Sequence, residues 1–187
     1  MEPTYTPLVD SEPDADAVDL ADQIADFHPR LMRFALSLTH VHDEAADLTQ
    51  DTMARALGAA WRFTPGTNLA AWLFRIMRNL HLNRVRDGAA RPRIESLDEV
   101  REVAGRSGND GFSPVERQAL ERASLAAVRA AFATLPHRYA APLHLVSVEE
   151  LSYAETAAVL SIPIGTVMSR IYRARKMLAA ALAGGWR

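Results

Sequence analysis

Thr166, Ser169, Arg170, Arg173 and Lys176 fall at three- and four-residue steps near the end of a 187-residue chain, with Tyr172 and Arg175 flanking them. On a helix those steps gather side chains on one face, and Ile164, Val167, Ile171, Ala174 and Leu178 then share the other. Hydroxyls and a guanidinium in the first turns can hydrogen-bond base edges, and cations further along can neutralise phosphates. The bland alternative is a solvated cationic helix. A second basic concentration lies in residues 75–93, where Arg75, Arg78, Arg84, Arg86, Arg91 and Arg93 are opposed only by Asp87. Trp72, Phe74, Asn79, His81 and Asn83 interleave with it, giving the mixture of cations and planar groups that binds single-stranded nucleic acid. Trp72 shares its phase with Leu69, Leu73 and Ile76 and is expected in the core, so the turn-rich loop Phe63–Asn68 is the better candidate for touching a base. Asp43, Glu44, Asp47 and Asp51, with Gln50, make a surface of opposite sign that suits either a basic protein partner or plain solvent.

Covalent and metal chemistry have no comparable footing. His28, His40, His42, His81, His137 and His144 show no zinc-ligand spacing, and neither a phosphate-cradling Gly-rich loop nor a nucleophile elbow occurs. The absence of cysteine excludes disulfides, thiolate metal sites and thiol nucleophiles. No catalytic residue, metal or other cofactor is expected.

The overall charge of −2 hides an asymmetry. Residues 1–22 hold seven acids and no base, leaving 16 acids and 21 bases in the remainder, so a −7 leader precedes a +5 body. Such asymmetry points to a polyanion partner, although short acidic tails also serve as solvating segments. Of the 21 bases only Lys176 is lysine, which a GC-rich coding bias explains. Apolar residues at 49% and charged residues at 24% fit an ordinary globular chain. Apolar runs such as Met177–Trp186 are too short to span a bilayer, and the acidic start does not resemble a signal peptide, so a cytoplasmic protein is expected.

The elements that position these residues read as helices throughout, an all-α fold of two small domains. The leader, residues 1–19, has Pro3, Pro7 and Pro13, high acidity and little periodicity, and is expected to be disordered. Residues 20–90 form the first domain. Its first helical run (Ile24, Phe27, Leu31, Phe34, Leu38) should start afresh or kink near His28 because of Pro29. A second helix is expected over Val41–Trp61 and a third over Leu69–Arg86, separated by the Pro65-Gly66 turn. Residues 91–114 accumulate Gly, Pro, Asn and Ser and read as a linker. In the second domain, residues 115–187, Ser113-Pro114-Val115-Glu116 supplies a capping box for a helix reaching Ala133. Helices over His137–Val148, Tyr153–Leu160 and Ile164–Ala183 follow, and Ser152 with Glu155 forms another capping box. The short turn Ser161-Ile162-Pro163 between the last two has the spacing of a helix-turn-helix.

In this order the pieces resemble an extracytoplasmic-function (ECF) sigma factor of bacterial RNA polymerase, group IV of the sigma-70 superfamily. Asp43–Thr52 is similar to region 2.2, Phe63–Asn79 to regions 2.3 and 2.4, and Leu135-Pro136, Leu151–Glu155 and Pro163–Arg175 to region 4. The resemblance implies that Asp47, Gln50 and Asp51 contact the clamp helices of core polymerase, while the second domain meets the flap. It implies that Phe63, Thr67, Asn68, Arg75, Arg78, Asn79, Asn83 and Arg86 capture the minus-10 non-template strand. Thr166, Met168, Ser169, Arg170, Tyr172, Arg173 and Lys176 would read the minus-35 duplex. An anti-sigma factor is the further partner it implies, with no membrane insertion. Three positions depart from the family pattern: Ser161 stands where the turn usually has Gly, Met168 where a base is common, and Pro142 within a usually uninterrupted helix. Met168 resembles a branch associated with oxidative stress and zinc-binding anti-sigma factors. Two other functions fit some of the residues: a sigma-like decoy that binds an anti-sigma factor, and a helix-turn-helix repressor or activator using residues 116–183 alone.

Overall fold

The computed structural model describes residues 15–88 and 114–183. Among them all regular structure is helical: α1 (Ala15–Asp26), α2 (His28–Thr39), α3 (His42–Gly58), α4 (Leu69–Gly88), α5 (Pro114–Arg122), α6 (Leu125–Ala133), α7 (His137–Ser147), α8 (Tyr153–Leu160) and α9 (Ile164–Leu182). The linker assigned to residues 91–114 and the Ser113–Glu116 capping box lie outside the described residues, Pro114 and the backbone of the first turn of α5 excepted.

Local chemistry sets most boundaries. Pro29 sits in the first turn of α2, where its missing N–H costs nothing, so the apolar run splits into α1 and α2 at Phe27. α1 begins at Ala15, upstream of the apolar periodicity. α3 ends at Gly58, and the expected continuation to Trp61 is instead a 3-10 turn, Ala60–Arg62. The single helix expected from Ser113 to Ala133 is broken: Ser124 takes extended backbone and its hydroxyl accepts a hydrogen bond from the Ala127 N–H, restarting the chain as α6. Pro142 lies inside a continuous α7 that starts at His137, buried rather than terminating.

Two apolar clusters hold the helices. The larger contains Ile24, Leu31, Phe34, Leu48, Leu73, Phe74 and Met77 from α1–α4, and it also contains Ala141, Leu145, Leu151, Val159 and Leu160 from the C-terminal half. Phe34 and Phe74 meet edge to face with centroids 5.0 Å apart, and Phe34 lies 5.6 Å from the His144 ring. The smaller cluster joins Leu135, Tyr139, Leu143, Val167, Ile171, Ala174 and Leu178, locking α9 onto α6 and α7. Ile162, in the turn between α8 and α9, touches both. The halves therefore pack directly, α2 on α7 and α4 on α8. Nothing in the sequence pattern foretold this.

Candidate nucleic-acid and polymerase interface

α8 and α9 form the helix-turn-helix. The Ser152 hydroxyl accepts from the Glu155 N–H at 3.2 Å, and the Glu155 carboxylate accepts from the Ser152 N–H at 2.8 Å, completing the capping box. Hydrogen bonds from Ser152 and from Asn68 hold the Glu155 carboxyl below its ordinary pKa. Ser161 ends α8 at φ 51°, the left-handed conformation for which Gly is the usual choice. Pro163 then opens α9.

The inward face of α9 is Val167, Ile171, Ala174 and Leu178. Ile164, assigned to that face by its phase, is 47% exposed and stands outside the cluster. Tyr172, Arg173 and Lys176 point outward, and the Lys176 ammonium lies 4.8 Å from the Tyr172 ring centroid. Thr166, Met168, Ser169 and Arg170 are half-buried. The Ser169 hydroxyl donates to the Thr166 carbonyl at 3.0 Å, so in this state it is turned toward its own helix.

In the N-terminal half, Gly66 at φ 83° turns the loop before α4, and Thr67 Oγ1 donates to the Thr64 carbonyl at 2.7 Å. Asn68 caps α4: its side-chain oxygen accepts from the Ala71 N–H at 3.2 Å. Phe63 is half-buried, 5.4 Å from the half-buried Trp72 ring, so it braces the loop and is not its exposed tip. Arg75, Asn79, Asn83 and Arg86, all exposed, continue along α4 at helical steps. Arg86 donates to the Asn83 side chain, and Arg78, half-buried, donates to the Asn79 side chain at 3.2 Å.

On α3, Asp47 and Gln50 are exposed. Asp51 is also exposed but accepts from Arg84 at 2.5 Å, tying the acidic helix to the basic one. The apolar side of α3 carries buried Thr49 and Thr52, whose hydroxyls bond the Ala45 and Leu48 carbonyls.

Several contributing residues escaped the sequence reading. Glu149, after α7, has a side chain only 1% exposed. It accepts from Arg30 Nε of α2 at 2.7 Å and lies 3.3 Å from His144 Nε2, with Arg33 at 4.0 Å. Burial alone would raise its pKa, but the hydrogen bonds from His144 and Arg30 outweigh it and hold the carboxyl below its usual value. A Glu in a Val-Glu-Glu run resembles any surface acid, so no signal marked it. Where α2, α4 and α7 meet, the His40 and His137 rings stack at 4.3 Å, with His81 6.4 Å from His137. Burial and the neighbouring His137 lower the His40 and His81 pKa values, Arg84 adding to the effect on His81. Among the described residues no group of His, Cys, Asp and Glu could hold a metal ion, and no helix is long and apolar enough to cross a membrane.

Comparison with known proteins places this geometry. Residues 24–91 match the model of Sigma-70 region 2 and residues 125–178 that of Sigma-70 region 4. The chain is 37% identical over 178 residues to the ECF RNA polymerase sigma factor EcfG of Rhodopseudomonas palustris, covering 94% of this chain and 87% of that protein. It is 35% identical over 184 residues to the sigma factor SigE of Mycolicibacterium smegmatis, covering 97% and 69%. Among solved structures it resembles the sigma factor RpoE in complex with the anti-sigma factor NepR from Bartonella quintana, with TM-score 0.66, 30% identity, and coverage of 90% of this chain and 99% of that one. CnrH in complex with the cytosolic domain of CnrY is similar at TM-score 0.55 and 28% identity, covering 92% and 100%. The chain belongs to the extracytoplasmic-function family of RNA polymerase sigma factors.

Proposed function

We propose a division of labour within an alternative sigma factor that directs RNA polymerase to promoters. Thr166, Met168, Ser169, Arg170, Tyr172, Arg173 and Lys176 of α9 read the minus-35 duplex in the major groove, with residues 115–187 as the unit that does so. Phe63, Thr67, Asn68, Arg75, Arg78, Asn79, Asn83 and Arg86 capture the minus-10 strand as the duplex opens, from a unit spanning residues 20–90. Asp47, Gln50 and Asp51 meet basic residues of the polymerase clamp. The observation that supports this reading best is the sorting of charge onto separate faces: exposed Asp47 and Asp51 on α3, exposed Arg75 and Arg86 on α4, exposed Arg173 and Lys176 on α9.

The mechanism is binding, with no covalent step by this chain. Extracting a base from the melting duplex costs a few kcal/mol, which pocket contacts and polymerase association must offset. The protein acts in the cytoplasm, where its polymerase works. Because RpoE and CnrH were each solved with an anti-sigma protein, an anti-sigma partner is proposed for this chain too. The test is transcription from a genomic template pool by core polymerase with and without the protein. Discrete starts preceded by shared minus-35 and minus-10 sequences support the reading. No start beyond those of core polymerase, with protection of a duplex site by the protein alone, would favour a helix-turn-helix repressor.

A further inference from the structure

Three apolar side chains of α9 lie outside both clusters. Ile164 is 47% exposed, Tyr172 is 53% exposed, and Met168 between them is half-buried. They follow one another at steps of four residues, so they form a single row along the helix surface. By helical phase Thr166, Arg170 and Arg173 run along the opposite edge of the outward side, and Gly165, Ser169 and Lys176 lie between the two rows. The outward side of α9 is therefore divided lengthwise, apolar on one edge and polar on the other.

The middle of that side is low at its N-terminal end. A methyl group at Gly165 would meet nothing of the chain within 4 Å, so packing does not demand glycine there. A bare backbone in the first turn lets another molecule come close to the helix. The Ser169 hydroxyl donates to the Thr166 carbonyl, which commits its proton to its own helix. What the first two turns offer a close neighbour on the apolar edge is then Ile164 and Met168, and a thioether is only a weak hydrogen-bond acceptor.

The row is continuous with a cationic surface. Arg173 and Lys176 are exposed further along α9, and the Lys176 ammonium lies 4.8 Å from the Tyr172 ring centroid, so the apolar row ends where the cations begin. In a helix-turn-helix the first turns of the second helix meet base edges in the major groove, while such cations meet phosphates. Thymine presents a methyl group on that edge where the other bases present only donors and acceptors, and apolar contact is the way a side chain reads it. Ile164 and Met168 are about 6 Å apart along the axis at 1.5 Å per residue, close to two base-pair steps of about 3.4 Å.

We propose that Ile164 and Met168, with Tyr172 closing the row, determine promoter specificity by reading thymine methyl groups. The minus-35 element then carries two thymines on one strand, within three adjacent base pairs. The proposal rests on the assignment of α9 to the minus-35 duplex, to which it adds Ile164 and a base identity. Charge supplies neither, since phosphate contacts hold any sequence.

The test exchanges thymine for deoxyuracil in the minus-35 element of a mapped promoter, which removes the methyl group and leaves every hydrogen-bonding group of the base in place. Holoenzyme affinity should fall about fourfold for each of the two thymines, the worth of one buried methyl group. Holoenzyme carrying Ile164→Ala with Met168→Ala should bind the thymine and uracil promoters equally. A mapped element without two such thymines, an unchanged affinity on full replacement by uracil, or a uracil penalty that persists in the double variant would overturn the proposal. Arg173→Ala and Lys176→Ala holoenzymes keep the two possible failures apart. Loss of minus-35 protection in these variants leaves α9 on the duplex even where uracil has no effect. Full protection by both would remove α9 from the minus-35 element and the proposal with it.

Discussion

The two halves solve the same problem, holding cations toward DNA, with different scaffolds. In the C-terminal half one helix does both jobs: Val167, Ile171, Ala174 and Leu178 anchor α9 while Arg173 and Lys176 on its other side stay exposed. In the N-terminal half the tasks are divided. Phe34, Leu48, Phe74 and Met77 make the core, α3 carries acids, α4 carries bases, and Arg84–Asp51 ties the two. The first scaffold has a cluster of its own, in which α9 packs on Leu135, Tyr139 and Leu143. The second borrows Leu145, Leu151, Val159 and Leu160 from its neighbour to finish its core. The core of the N-terminal half therefore depends on side chains from the C-terminal half, whereas the cluster beneath α9 is built within its own half.

The largest effect should come from the shared core. Phe34→Ala removes a fully buried ring that touches both Phe74 and His144, and should cost about 3–5 kcal/mol of stability in chemical denaturation. Ile171→Ala in the C-terminal cluster should cost about 2–5 kcal/mol. If hydrogen exchange shows Phe34→Ala loosening α7 as well as α4, the asymmetric sharing stands; loosening confined to α4 would break the comparison.

Next comes the exposed reading face. Arg173→Ala should weaken binding to minus-35 duplex by about 1–3 kcal/mol if it meets a base, and lower the salt dependence by about one phosphate if it meets the backbone. Unchanged affinity and salt slope would remove Arg173 from the face. A smaller effect is expected at the turn. Ser161→Gly should stabilise the protein by about 1 kcal/mol, because φ 51° strains a residue with a Cβ; a lower melting temperature would contradict this.

The smallest effect is a pH dependence that belongs to the junction alone. His40 faces His137 and the Leu135 carbonyl, and His81 faces His137 and Arg84. Their folded pKa values lie below the ordinary imidazole value near 6.5, so the unfolded chain binds more protons and folding is favoured above that value. Stability from these two groups is present above pH of about 6.5 and is lost as pH falls below it. Glu149 behaves the same way at lower pH, its contribution present above about 4.5 and lost below. The melting temperature should therefore fall between pH 7.5 and 5.5, and an unchanged melting temperature over that range would contradict this.

What was legible in the sequence was whatever is encoded within a few residues. Pro29 announces the break between α1 and α2, and Ser152 with Glu155 announces α8, because each acts on its own backbone. The alternation of Val167, Ile171 and Ala174 with Arg170 and Arg173 is likewise visible from spacing. What was hidden depends on partners distant in the chain. Glu149 is an ordinary acid until Arg30, 119 residues away, and His144 enclose it. Ile164 fits the apolar phase but is exposed and outside the cluster that the rest of that face joins. Ser124 breaks an apolar, alanine-rich stretch whose propensity favours a continuous helix, and its capping role shows only in the backbone. Asn68, assigned to DNA, is also the cap of α4 and the partner of Glu155, so a single residue type concealed three contacts.

The division of labour between the halves is tested most directly by footprinting holoenzymes on one mapped promoter, with permanganate to report unpaired thymines. Arg173→Ala holoenzyme should lose minus-35 protection and occupancy, yet the complexes that form should open normally. Asn68→Ala holoenzyme should keep minus-35 protection and lose minus-10 thymine reactivity. Identical footprints from the two variants, or minus-10 reactivity lost only with Arg173→Ala, would contradict the assignment of the two faces.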